Sequence, residues 1–174
     1  MNPAVGLPTM ASLTRAIFRR YRDRTAIRTE DGRDISYTEL QDRVRRLVNV
    51  LIDGLGLVKG DRIAILANNR AEYIEADFAC ALAGVVKVPL YARNAAMEHL
   101  HFVADSGAVG LIAEPHFLGP LHEAMGGEWG PLAGRVLSLD TAPSDVPGVV
   151  AYEDLIAAAS PRETFVDVQA DDYY

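Results

Sequence analysis

The sequence has almost no cysteine: Cys80 is the only one in 174 residues. No disulfide can form within the chain, which fits a reducing compartment and leads to the expectation of a cytoplasmic protein. Lysine is nearly missing too. Lys59 and Lys87 are the only two, and arginine carries the rest of the positive charge. With 24 acidic and 17 basic residues the formal net charge is -7, the wrong sign for gripping nucleic-acid phosphates, so no nucleic-acid partner is expected. Long apolar runs are absent as well. The longest, Ile74 to Leu90, is broken by Glu75, Asp77, Lys87 and Pro89, so it does not make the span of about 20 apolar residues that crosses a membrane. Arg19-Arg20 in "FRRYRDR" is followed by charge instead of an apolar run, unlike an export signal.

The usual signatures of chemistry are also missing. There is no G-x-x-x-x-G-K-[ST] phosphate loop. "GLGLVKG" (54–60) has the wrong glycine spacing for a dinucleotide loop. It also stands between a helix and a following strand, the reverse of the order that aims a helix N-terminus at a pyrophosphate. It reads as a helix stop and a turn. His99 and His101 lie two apart on a helical pattern and so point to different sides. His116 and His122 have no cysteine or paired carboxylate at ligand spacing. No G-x-S-x-G elbow occurs, and Asp171-Asp172 reads as a solvated turn before a metal-binding pair. No catalytic, cofactor-binding or metal-binding residue is assigned within the chain.

What is present is scaffold. The 49% hydrophobic and 24% charged composition is that of a globular protein. Leu13, Ile17 and Phe18 among arginines predict an amphipathic helix over 11–21. "TAIRTEDGRDISY" reads as two short strands around an Asp31-Gly32 turn. Ser36 and Glu39 have capping-box spacing. The helix they open carries Leu40, Val44, Leu47, Val48 and Leu51 on one stripe, with Asp42, Arg45, Arg46, Asn49 and Asp53 opposite. Gly54 and Gly56 read as its left-handed stops.

From Gly60 strands and helices alternate. Strands are expected at 62–67, 85–90, 109–113 and 135–139. Between them, Asn69 and Glu72 cap a helix with the stripe Ala71, Ile74, Phe78, Ala81 and Leu82, stopped by Gly84. Asn94 opens another with Met97, Leu100, Val103 and Ala104, closed by Gly107, and a further helix covers 115–125. Residues 140–150 read as a loop, followed by a short helix near 152–159 that Pro161 ends. The pattern predicts an α/β fold, a largely parallel sheet flanked by helices. It forms one subdomain over 1–174: helix, hairpin and capped helix in 1–60, alternating units in 61–139, and loop, short helix and lead-in to a further strand in 140–174.

Two stretches, "ISYTEL" (35–40) and "ALAGVVKVPL" (81–90), resemble the first two core motifs of the adenylate-forming superfamily, the group of acyl-CoA synthetases, luciferases and peptide-synthetase adenylation domains. "VKGDRIAILANNRAEYIEADFACALAG" (58–84) keeps that family's order between them. The resemblance runs from about residue 11 to 174 and gives Ser36, Tyr37, Glu39, Leu40, Gly84 and Pro89 scaffold roles. It implies the N-terminal subdomain of an enzyme in which a carboxylate attacks the α-phosphate of Mg-ATP and a thiol, often coenzyme A, then displaces AMP.

In such enzymes a Gly/Ser/Thr-rich loop follows a segment like "ADDYY". The expectation is thus an N-terminal piece, truncated before the phosphate-binding loop, that binds no ATP, Mg or coenzyme A and is inactive alone. The parent is expected to be an acyl-CoA synthetase for a fatty or related acid. A peptide-synthetase adenylation domain, a fatty-acyl-AMP ligase, or a stand-alone α/β interaction module without catalysis are the alternatives. The expected partner is the remainder of the same polypeptide, met through Tyr173 and Tyr174, with self-association through that face. Arg93, after "VPLY", reads as a surface salt bridge ahead of a residue facing a cofactor phosphate.

Overall fold

Each turn of chain has a local cause. In the computed structural model, which describes residues 8–173, β1 (Thr25–Arg28) and β2 (Asp34–Ser36) form an antiparallel ribbon. Gly32, at φ +83°, takes the left-handed conformation that its turn requires. The helix α1 (Met10–Tyr21) precedes the ribbon and α2 (Tyr37–Asn49) follows it. The capping box opening α2 is closed in both directions. The Glu39 amide donates to Ser36 Oγ at 3.2 Å and the Ser36 amide donates to Glu39 Oε2 at 2.8 Å. The Ser36 amide, and with it the Ser36 hydroxyl donating to the same oxygen at 2.8 Å, holds the Glu39 carboxyl below its ordinary range.

Leu40, Val44, Leu47, Val48 and Leu51 are buried as their spacing predicts. The end of the helix differs from the reading. It widens into a π turn over Val50–Gly54, with the Leu55 amide donating to the Val50 carbonyl at 2.8 Å. Gly54 therefore stays helical, and only Gly56 is left-handed, at φ +65°. Asn49, placed opposite the apolar stripe, is buried. Its amide donates to the carbonyls of Ser160 and Arg162 at 2.7 and 3.0 Å, so the chain after the last helix is tied across α2.

The main sheet contains β3 (Arg62–Leu66), β4 (Val86–Pro89), β5 (Gly110–Ala113), β6 (Val136–Ser138) and β7 (Val149–Ala151). Their order is β4-β3-β5-β6-β7 and every pairing is parallel. β7 lies in the stretch expected to be loop. It has three residues and no alternation to betray it; pairing with the open edge of β6 makes it a strand. The helices α3 (Ala71–Ala83), α4 (Ala96–Ser106), α5 (Pro115–Ala124) and α6 (Tyr152–Ala158) complete the fold. Ile63, Ile65 and Leu137 pack with residues of α1, α2, α3 and α6. Ala64, Leu66 and Leu111 pack with residues of α4 and α5. The strands are thus covered on both faces, which is why they read as unbroken apolar runs.

Two helical stripes form only in part as expected. In α3, Ala71, Ala81 and Leu82 are buried as expected and Ile74 faces solvent, while Glu75, Ala76, Ala79, Cys80 and Ala83 are buried in addition. Alanines let α2 and the sheet approach from two sides, so a single-stripe pattern does not apply. Arg70, not Asn69, occupies the N-cap position, and without a side-chain cap. In α4, Met97 and Ala104 are exposed while His99 and Val103 are buried, because a histidine that a polarity count places outside is satisfied inside. Its N-cap position is Ala95, one residue after Asn94. Among the described residues no helix is long and apolar enough to cross a membrane.

Candidate functional site at the carboxyl edge of the sheet

Open parallel sheets bind ligands beyond the carboxyl ends of their strands, where the strand order reverses. Here β3 is flanked by β4 on one side and β5 on the other, so the reversal lies between β3 and β5. Leu66 pairs with Ala113 at the end of these strands. Just beyond, the crevice is filled by side chains. The Asn68 backbone amide donates to Glu114 Oε1 at 3.1 Å and its side-chain amide donates to Oε2 at 2.9 Å. Arg70 stands beside them, Nη1 at 3.8 Å from Glu114. Its Nε donates to Glu72 at 2.8 Å, its Nη1 and Nη2 to the two Asp140 oxygens at 3.1 and 3.0 Å, and Nη2 also to the Leu139 carbonyl at 3.3 Å.

One guanidinium therefore ties together the ends of β3, β5 and β6. Its hydrogen bond lowers the Asp140 carboxyl below its ordinary value. Burial pushes Glu72 upward, but the Arg70 hydrogen bond, a backbone amide and the Arg70 and Arg43 charges together outweigh it and leave that carboxyl lowered as well. Both acids are ionised and engaged, so neither is poised as a general acid or base.

An open cleft lies next to this plug, toward β4. It has a volume of about 420 Å³ and is lined by Asn68, Asn69, Tyr73, Pro89, Tyr91 and Arg93, among others. Arg93 is exposed and makes no ion pair among the described residues, so the expected surface salt bridge is not formed. An unpaired guanidinium, side-chain amides and tyrosine faces suit an anionic group joined to a flat ring.

A second polar cluster is buried. Glu75 Oε1 accepts from Arg43 Nε at 2.5 Å and Oε2 accepts from the Tyr152 hydroxyl at 2.8 Å, while Arg43 also reaches Glu153. Burial, then the Glu75 charge, raises the Tyr152 hydroxyl well above its ordinary value. The cluster joins α2, α3 and α6; both Glu75 oxygens are engaged within it, and Glu153 is its solvent-facing end. Sequence reasoning missed it, since no local spacing links positions so far apart. Cys80 is fully buried, and burial pushes its thiol up to about 12, which removes it as a nucleophile. Among the described residues no group of histidine, cysteine and acids is arranged to hold a metal.

The residues named from the sequence do not converge. Ser36 and Glu39 cap α2, Leu40 is buried, and the Tyr37 ring meets Phe18 and Tyr21 at 6.5 and 5.5 Å between centroids. Gly84 ends α3 at φ +66°, with the space for a Cβ only 3.1 Å from Lys59 Cγ. Of the six, only Pro89, exposed at the end of β4, reaches the cleft. Asp172 sits in a turn, paired with Lys59 at 2.5 Å and accepting from the Gln169 amide at 2.6 Å. Tyr173 is 82% exposed, and Tyr174 lies outside the described residues.

Residues 14–171 match the family model described as AMP-binding enzyme. The chain belongs to that family. The feruloyl-CoA synthase of Amycolatopsis sp is 40% identical over 124 residues, covering 71% of this chain and 25% of the relative. The fatty acid–[acyl-carrier-protein] ligase ScoC of Streptomyces coeruleorubidus is 38% identical over 95 residues, 55% of this chain and 18% of the relative. ATP-bound MatB from Rhodopseudomonas palustris superposes with a TM-score of 0.76 at 29% identity, covering 93% of this chain and 31% of that one. The chain thus spans about a quarter or less of the length of these two curated relatives.

Proposed function

We propose that the chain is the N-terminal part of an ATP-dependent acid–thiol ligase with coenzyme A as acceptor. The supporting observation is the family match over 14–171, joined to relatives named as CoA synthases of which the chain covers a quarter. In this reading an acid carboxylate attacks the α-phosphate of Mg-ATP, giving an acyl-adenylate and pyrophosphate. The coenzyme A thiol then attacks the acyl carbon and AMP leaves. Developing charge on the phosphates requires backbone donors, a cation and a metal ligand. The chain covers 25% of the feruloyl-CoA synthase, so in this reading the ATP chemistry falls to the rest of the ligase and the 174-residue chain alone is inactive.

What the chain offers is the Arg93 cleft. The residues present fit a phosphate-bearing cofactor: Arg93 for the phosphate, Asn68 and Asn69 as donors, and the Tyr91 and Tyr73 rings for a flat group. Relatives are named for ferulate and for long-chain fatty acids alike, so the reading is a carboxylic acid–CoA ligase, with a fatty acid as one member of the class. The partner in this reading is the remainder of the same polypeptide, and Tyr173 is a surface that such a contact would cover.

The test is acid-dependent AMP release by the gene product that contains the chain, with feruloyl-type and fatty acids supplied in turn. Release that requires coenzyme A supports the reading. Release that proceeds only with a holo-acyl-carrier protein favours the second reading, raised by the similarity to ScoC. No acid-dependent release from ATP with either acceptor refutes both.

A further inference from the structure

The loop that carries Arg93 is held from beneath by a buried histidine. His99, on α4, is 2% exposed, and its Nε2 lies 3.0 Å from the Tyr91 carbonyl oxygen. The same carbonyl accepts from the Asn94 amide at 3.0 Å, closing the turn over 91–94. The imidazole stands edge-on to Phe117 of α5, with centroids 5.9 Å apart.

We propose that His99 is a positioning residue: by donating Nε2–H to the Tyr91 carbonyl it sets the 91–94 turn, and with it the place of Arg93 over the cleft. A carbonyl oxygen only accepts, so the proton belongs on Nε2 and the tautomer is fixed. The carbonyl is already satisfied by Asn94, so the histidine bond is not required to pair a stranded backbone group. What it adds is direction, linking the turn to a helix anchored in the core beside Val103. A leucine there fills similar space and leaves the turn free to swing. Glu98 reinforces the arrangement, accepting from the Ala95 amide at 2.8 Å. The consequence for Arg93 rests on the reading that this residue meets a cofactor phosphate; the setting of the turn does not.

Three measurements on the 174-residue chain separate these claims. In the unaltered protein, long-range proton–nitrogen correlation spectra are expected to show the His99 ring as the Nε2–H tautomer, and the Nδ1–H tautomer overturns the proposal. In hydrogen exchange, His99→Leu is expected to speed the Asn94 amide roughly tenfold, the worth of one hydrogen bond, while the β5 amide of Leu111 is unchanged. His99→Gln, which offers an N–H at similar reach, restores protection. Equal Asn94 exchange in His99→Leu and the unaltered chain overturns the proposal, and where His99→Leu does not fold, loss of protection in His99→Gln overturns it. Titration with adenosine 3′,5′-bisphosphate is expected to weaken in Arg93→Ala and His99→Leu and to recover in His99→Gln. Weakening in Arg93→Ala alone contradicts the link from His99 to Arg93. No binding by the unaltered chain removes the phosphate reading while the first two measurements still decide the turn.

Discussion

The Tyr152 hydroxyl donates to Glu75 Oε2 at 2.8 Å across 77 positions of sequence. Glu75 is 1% exposed and holds Arg43 on its other oxygen, so the three side chains form one unit joining α6, α3 and α2. Removing the cation strands a buried carboxylate, and Arg43→Leu is expected to cost about 3–5 kcal/mol. Tyr152→Phe removes one donor and costs about 1–3 kcal/mol. Urea unfolding of the two variants and the double variant checks this. The double loss should fall short of the sum, because both changes act on one group.

Gly84 and Gly107 have nearly the same conformation, φ +66° and +65°, but different surroundings. A Cβ on Gly84 meets Lys59 Cγ at 3.1 Å and Val168 at 3.4 Å, whereas one on Gly107 meets nothing within 4 Å. Gly107→Ala is therefore expected to cost only the backbone strain, about 1–2 kcal/mol. Gly84→Ala should cost more, because the strap around Val168 must also shift. A thermal melt that ranks Gly107→Ala below Gly84→Ala in stability is the contrary result.

Acid should weaken the carboxyl edge of the sheet first. Glu72 and Asp140 are held below their ordinary values of 4.5 and 3.8. A lowered carboxyl stabilises the fold fully above its ordinary value and loses that contribution as pH falls through its folded value. Stability is thus expected to stay level on this account down to pH 4.5 and to fall below it. Arg70→Met, which removes the shared partner, should lower stability at neutral pH and make the fall shallower. Unfolding midpoints measured from pH 7 to pH 3 in both proteins read this directly.

Arg93→Ala tests the cleft. A charge-assisted hydrogen bond contributes about 1.5–3 kcal/mol, so the KM for coenzyme A in the gene product should rise roughly tenfold or more. The kcat should change little, since Arg93 is assigned to binding and not to the reacting atoms. An equal fall in kcat with KM unchanged is the opposite pattern.

Local features were legible in the sequence and distant ones were not. The Ser36–Glu39 box, the Asp31-Gly32 turn and the Gly84 and Gly107 stops depend on residues a few positions apart, and each forms. The parallel sheet followed from strands buried on both faces. β7 escaped notice because pairing to β6, not its own three residues, makes it a strand. Arg93 reads as a surface salt bridge in the sequence, but among the described residues folding brings three carboxylates to Arg70 and none to Arg93. His99 was set aside as one of two histidines without a ligand pattern, and its burial depends on α5 packing over it.

The division of labour between this chain and the rest of a ligase is tested most directly by exchange of labelled pyrophosphate into ATP. The purified 174-residue chain is incubated with Mg-ATP and with aromatic or fatty acids. Exchange at background with every acid is the expected result, because the proposed reading gives this chain the scaffold and gives the rest of the ligase the groups that hold the ATP phosphates. Robust acid-dependent exchange by the chain alone would contradict it.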